Sequence, residues 1–211
     1  MEDSAFLDNY EKTLQLGLSR ICSGAGLMGE DLLSSDDIDA KWEEFIKDYV
    51  ADAVENFNDY PEAALAWAAF LGMGVAHNWD ENWTFHRHDK YSDYYGSSSG
   101  GGNNARSGAD ENWTFHRHDK YSDYYGSRGW DNMDEHILRG VLGYQLDSAE
   151  AKKISDTLQS CALATLGLIR HEGIEAQTST GFYALTRSYG VMFKIGEAME
   201  LYRLGYKKVA V

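Results

Sequence analysis

The sequence predicts an all-α fold: an antiparallel bundle of about six helices, with a long irregular insert between helices three and four. Three observations predict it. Apolar residues recur at spacings of three and four along most of the chain outside residues 80–127, the period of a helix with one buried face. Capping residues and glycines punctuate those stretches at the expected starts and stops. Outside the insert no stretch alternates polar and apolar residues with β-branched enrichment, so no strand is predicted. Residues 1–211 then read as a single helical-bundle domain, with 80–127 an inserted loop region.

The first helix is expected from Ser4 to about Ile21. Phe6, Leu7, Tyr10, Leu14, Leu16, Leu18 and Ile21 form its stripe, and Gly24 and Gly26 end it. Ser34-Ser35-Asp36-Asp37 is a capping cluster whose carboxylates suit the positive end of a helix dipole. The second helix follows it, with Ile38, Trp42, Phe45, Tyr49, Ala53 and Phe57 on its apolar side. Pro61 fits a first helical position, and 63–77 is apolar all round, so the third helix is expected to be buried and central. Ala64, Ala68, Gly72 and Ala76 repeat every four residues, a ridge low enough for another helix to approach closely. The fourth helix is expected from Asp131 to about Leu146. Asp147-Ser-Ala-Glu150 resembles a capping box and opens a fifth, with Ile154, Leu158, Cys161, Thr165 and Ile169 inward and its end near Gly173. The sixth runs from about Thr180 to Leu204. Phe182, Leu185, Tyr189, Met192, Gly196, Met199 and Tyr202 hold one face, and Gly205 caps it.

The insert carries the same 18 residues twice, at 80–97 and 110–127, separated by a Ser/Gly/Asn spacer at 98–109. The spacer has the composition of a flexible linker. Identity over the whole copied unit points to a non-ancestral insertion of spacer plus copy. Recent duplication, engineering and an error in the recorded sequence all account for it. Without 80–109 or 98–127 a continuous helical chain remains.

Three segments, Tyr124 to His136, Gln159 to Ala162 and Ile169 to Glu175, resemble an uncharacterised all-helical bacterial family of unknown function. That resemblance covers the chain outside the insert. It implies an all-helical fold and no particular activity.

The formal net charge is −15, concentrated in residues 1–60. Without a basic stripe the chain lacks the electrostatic footprint of a nucleic-acid binder, and it would be repelled from an anionic membrane surface. The longest apolar run, Ala63 to Ala76, is shorter than the roughly 20 residues needed to span a bilayer. The N-terminus is acidic where a secretory leader would be basic, so the expectation is a cytoplasmic protein. Cys22 and Cys161 then read as small buried hydrophobes in a reducing compartment, and their spacing leaves a disulfide open.

The Walker loop, His-Glu-x-x-His and Cys-x-x-Cys are absent from the sequence, so no catalytic residue is assigned and the balance leans against an enzyme. Two functions fit what remains. The first is a non-catalytic bundle acting through protein contacts, most simply a homodimer. Its expected contact residues are the aromatics of the repeat: Trp83, Phe85, Tyr91, Tyr94 and Tyr95, with Trp113, Phe115, Tyr121, Tyr124 and Tyr125. Amphipathic aromatics give contact area at low entropic cost. No cofactor is expected on this reading.

The alternative is a metal-binding bundle holding a transition metal such as Zn or Ni. His86 and His88 stand at i and i+2, as do His116 and His118. On an extended strand such a pair lies on one face about 7 Å apart along the chain. His77, Asp134 and His136 flank the insert, at helix ends that an antiparallel pair would bring together. Structural histidines and ordinary first-turn acids account for the same residues without a metal.

Overall fold

The computed structural model describes residues 2–56, 61–94, 133–175 and 177–207. Those residues are helical with short turns, and no strand occurs among them, so the chain is all-α as predicted. The helices are α1 (Glu2–Gly24), α2 (Asp36–Asn56), α3 (Pro61–Tyr94), the single turn α4 (Met133–Glu135) continued by a π-helical stretch (His136–Val141), α5 (Ala149–His171) and α6 (Ser179–Arg203). Among the described residues no helix is long and apolar enough to cross a membrane.

α6 and α3 share the most extensive contact, and α1 packs on α6 next. Pairings give the directions. Along α2, Ser35, Asp39, Trp42 and Tyr49 meet Glu197, Lys194, Phe193 and Tyr189 in falling order, so α2 is antiparallel to α6. α1 and α5 are antiparallel as well: Gly26 faces Lys153 while Cys22 faces Cys161. α1 and α2 thus each run against a helix from the C-terminal half of the chain.

The small-residue ridge of α3 acts where it was expected to. Ala64, Ala68 and Ala76 are fully buried. A Cβ built on Gly72 would fall within 2.9 Å of the Phe193 carbonyl carbon. One on Gly196 would fall within 2.6 Å of the Ala69 carbonyl carbon. The two glycines let backbone meet backbone, closer than ordinary ridges-into-grooves packing allows. Trp42 stacks on Phe193 at 4.8 Å, and Tyr49 meets Tyr189 edge-on at 5.4 Å. The Tyr49 hydroxyl donates to the Ala64 carbonyl, so the buried phenol keeps a partner.

Three boundaries differ from the sequence reading. α3 does not end near His77 but runs on to Tyr94, through most of the first repeat copy. Between Val75 and Tyr94 there is no glycine or proline, so nothing interrupts the i→i−4 ladder although the composition is that of a loop. The fourth helix is one α turn followed by π-helical backbone and ends at Val141, with Leu142 as its cap. Leu142 N–H reaches back to Ile137 O at 2.9 Å, and Gly143 takes φ +73°, which stops the helix short of Leu146. The cap of α5 is Ser148, whose hydroxyl accepts from Ala151 N–H at 3.1 Å, one residue later than the Asp147 box. The residue three beyond the cap is then Ala151, so the reciprocal carboxylate arm is missing. Ser148→Ala is expected to cost about 1 kcal/mol, read as a fall of about 2–4 °C in Tm; Asp147→Ala should leave Tm in place.

Candidate functional site

The C-terminal half of α6 carries four charged residues at intervals of three, Lys194, Glu197, Glu200 and Arg203, while Arg187 nearer its start pairs with Asp8 and Glu11 of α1. The inner pair, Glu197 and Glu200, is fully buried (0% exposed). Ionised carboxylates are almost never buried without partners, and the two are treated in opposite ways.

Glu200 is saturated with donors. Arg203 Nε donates to Oε2 at 2.6 Å, Arg203 Nη2 donates to Oε1 at 2.5 Å, and His77 Nδ1 lies 2.8 Å from Oε1. Burial alone would raise the carboxyl pKa, but the hydrogen bonds and charges of Arg203 and His77 outweigh it and hold the group below its usual range. The Arg203 guanidinium also lies 5.8 Å from the centre of the Tyr144 ring. A turn further along α3, Asp80 accepts from the Tyr206 hydroxyl at 2.6 Å, and the Trp79 and Tyr206 rings are 5.7 Å apart. The segment after α6 is thus fastened to α3.

Glu197 has one partner. Its Oε1 accepts from Ser35 N–H at 2.7 Å, while Oε2 is buried with no hydrogen bond. Burial, the dominant cause, and the nearby charge of Asp39 push its pKa up to about 8. Glu197 is therefore a neutral acid at pH 7. Ser35 immediately precedes α2, and its carbonyl accepts from Ile38 and Asp39 N–H. A carboxyl on α6 so closes the N-terminus of α2, the capping arm coming from another helix. Both acids are sealed, and their geometry serves packing: one holds an ion cluster between α3 and α6, the other joins α2 to α6.

The helix three–four end is thus organised around partners that its own sequence does not carry. His77 is brought to Glu200 and Arg203 of α6, and Arg203 Nη2 lies 3.3 Å from its Nδ1. A guanidinium in that position disfavours a second cation. Asp134 is half-buried on α4, and His136 is exposed at the start of the π-helical stretch. Among the described residues no three of His, Cys, Asp or Glu gather at metal-binding distance. His86 and His88 lie on helical rather than extended backbone, where positions two apart fall on different sides of the axis. Trp83, Phe85, Tyr91 and Tyr94 share that helical stretch. Tyr95, Trp113, Phe115, His116, His118, Tyr121, Tyr124 and Tyr125 lie outside the described residues.

The outer side of α1 and α5 is different in kind. Thr13, Leu14, Gly17 and Leu18 of α1 face Ala164 and Leu168 of α5 across an open apolar groove of about 320 Å³. Nothing lies within 4 Å of a Cβ built on Gly17 or Gly167, so the groove is unfilled at both glycines. Leu16 and Leu163, each more than half exposed, stand outward on the two helices. Around Leu163 the exposed strip of α5 reads Asp156, Gln159, Ser160, Leu163, Gly167 and Arg170. Helical periodicity places all six on one face. Sequence reasoning passed over this strip because it attended to the inward stripe of the same helix.

No family model, curated protein or solved structure matches the chain. Among the described residues, fold and site together define an all-α bundle whose two buried acids are engaged in packing and which carries an open apolar groove between α1 and α5.

Proposed function

We propose that the protein acts through protein–protein contacts and that the contact is self-association through the outer face of α5. One observation carries this: the strip is self-complementary. Asp156 and Arg170 lie seven residues to either side of Leu163. Two copies of α5 laid antiparallel about Leu163 set Asp156 against the second copy's Arg170, and the reverse. Leu163 meets its own copy, and Gln159 lies over the bare backbone of Gly167 in the second chain. That is the pattern an isologous two-fold contact requires. A chain with net charge −15 repels itself, so a face with balanced charge is where copies can approach. Exposed ion pairs contribute only about 0.2–1 kcal/mol each. Leu163 and the neighbouring groove supply the apolar burial, and the complex is of the weak, reversible class.

Sedimentation velocity over a dilution series tests the proposal. Wild type should dimerise reversibly. Asp156→Arg should give monomer, because it sets like charges across both symmetric pairs. Asp156→Arg combined with Arg170→Asp in one chain should restore the dimer. A monomeric wild type at every concentration would end the reading, and failure of the double variant to recover would move the contact elsewhere.

A further inference from the structure

Cys22 and Cys161 are 139 residues apart in sequence, and their Sγ atoms lie 3.6 Å apart between α1 and α5. Both are free thiols, fully buried. Each sulfur has the other as its hydrogen-bonding contact. We propose that the two form a dithiol that a peroxide closes into an intramolecular disulfide, stapling α1 to α5.

The geometry is near what closure needs. A disulfide brings the sulfurs to about 2.05 Å, so the pair has roughly 1.5 Å to travel. Cys22 can supply much of that movement. It lies in the last turn of α1, where Leu27 N–H bonds back to the Cys22 carbonyl at 2.9 Å and Gly26 turns the chain at φ +68°. A helix end that gives way to a glycine turn shifts more easily than a helix middle. Cys161 is the fixed partner, in mid-helix, with its carbonyl accepting from the Thr165 hydroxyl at 2.9 Å.

The chemistry is ordered by the same contact. The hydrogen bond from the Cys161 thiol lowers the pKa of Cys22, while the same bond and burial raise that of Cys161. Cys22, in the last turn of α1 where local opening lets peroxide in, is the sulfur that attacks. Its thiolate takes one oxygen of hydrogen peroxide, the O–O bond breaks, and the other oxygen leaves as water after taking up a proton. Cys22 is then a sulfenic acid. The Cys161 thiol attacks that sulfur, the S–O bond breaks, the second oxygen leaves as water, and the S–S bond forms. Two thiols and one peroxide give one disulfide and two waters, with two electrons passing from sulfur to oxygen. Burial sets the rate: peroxide is small but must wait for local opening, so closure is slower than for an exposed thiol.

The test is peroxide treatment of the full-length protein, denaturing alkylation and peptide mapping. The expected result is a Cys22–Cys161 linked peptide within one chain, a mass loss of two hydrogens, and reversal by dithiothreitol. The oxidised form should melt roughly 5–10 °C higher, because the bridge closes a loop of more than a hundred residues. Cys161→Ser should leave a sulfenic acid at Cys22 that dimedone captures. In Cys22→Ser, Cys161 should remain alkylatable. Two alkylatable thiols in treated wild type would overturn the proposal, as would sulfinic or sulfonic acid at either cysteine without a linked peptide. The linked peptide is intramolecular whether or not the chain dimerises, so the outcome is independent of the α5 contact.

Discussion

Gly196→Ala should lower Tm by roughly 6–12 °C, the equivalent of about 3 kcal/mol or more in a domain of this size. The same exchange normally stabilises a helix interior by about 1 kcal/mol, so the sign itself is the test. At Gly196 the added methyl meets the Ala69 carbonyl, whose carbon would lie 2.6 Å away. A backbone carbonyl in mid-helix has no rotamer to change. The strain can be relieved only by moving α3 from α6, and that opens the largest interhelical contact of the fold. Gly72→Ala meets the Phe193 carbonyl from the opposite side and should behave alike. The double variant should cost less than the two singles together, since separated helices accommodate the second methyl at little further cost. Gly17→Ala, in α1 with nothing within 4 Å of the new Cβ, is the control and should raise Tm. Thermal and urea unfolding followed by circular dichroism would show all four. An unchanged or higher Tm for Gly196→Ala would mean that α3 and α6 do not meet at these glycines.

How much of this was legible in the sequence follows from which interactions are local. The ridge Ala64, Ala68, Gly72, Ala76 announces a close helix contact because its period lies within one helix. The turns at Gly173 and Gly205 take positive φ, and glycine at those positions is itself the signal; Gly143 carries the same signal, but the apolar pattern runs on past it to Leu146. The continuation of α3 beyond His77 was not legible. Asp, Asn, Ser and Tyr between 80 and 94 resemble a loop by composition, yet none of them breaks the hydrogen-bond ladder. The burial of Glu197 and Glu200 depends on partners 120 to 165 residues away, namely His77 and Ser35, so sequence spacing cannot disclose it. A partial signal exists in the three-residue period from Lys194 to Arg203, which sets a base one turn from each acid. Likewise the inward stripe of α5 predicted Cys161 as core, while its proximity to Cys22 required the fold.

Glu197→Gln and Glu200→Gln, the same substitution one helical turn apart, should act in opposite directions. Glu197 has a folded pKa of about 8 against an ordinary 4.5. Between those values the native state holds a proton that the unfolded chain releases. The stability it contributes is therefore complete below about pH 4.5, declines as pH rises through the window, and is lost above about 8. Gln retains the acceptor for Ser35 N–H and cannot ionise. Glu197→Gln should thus be near neutral at pH 4.5 and stabilising at pH 9, on the order of 3 kcal/mol. Glu200 is the reverse case. Its pKa is depressed by Arg203 and His77, so its contribution is present above the unfolded carboxylate range and is lost as pH falls through the lowered value. Glu200→Gln removes the charge facing Arg203, which is one-third exposed, and the half-buried His77. Breaking a fully buried pair costs about 3–5 kcal/mol; screening at Arg203 brings the expected loss at pH 7 to about 2 kcal/mol. Unfolding free energies from urea titrations at pH 4.5, 7 and 9 would separate the two. Equal signs at pH 9 would contradict the assignment of a protonated Glu197 beside an ionised Glu200. Opposite signs would mean that α6 holds one acid neutral and its neighbour charged, distinguished by a single turn of helix and by which partners the fold brings to each.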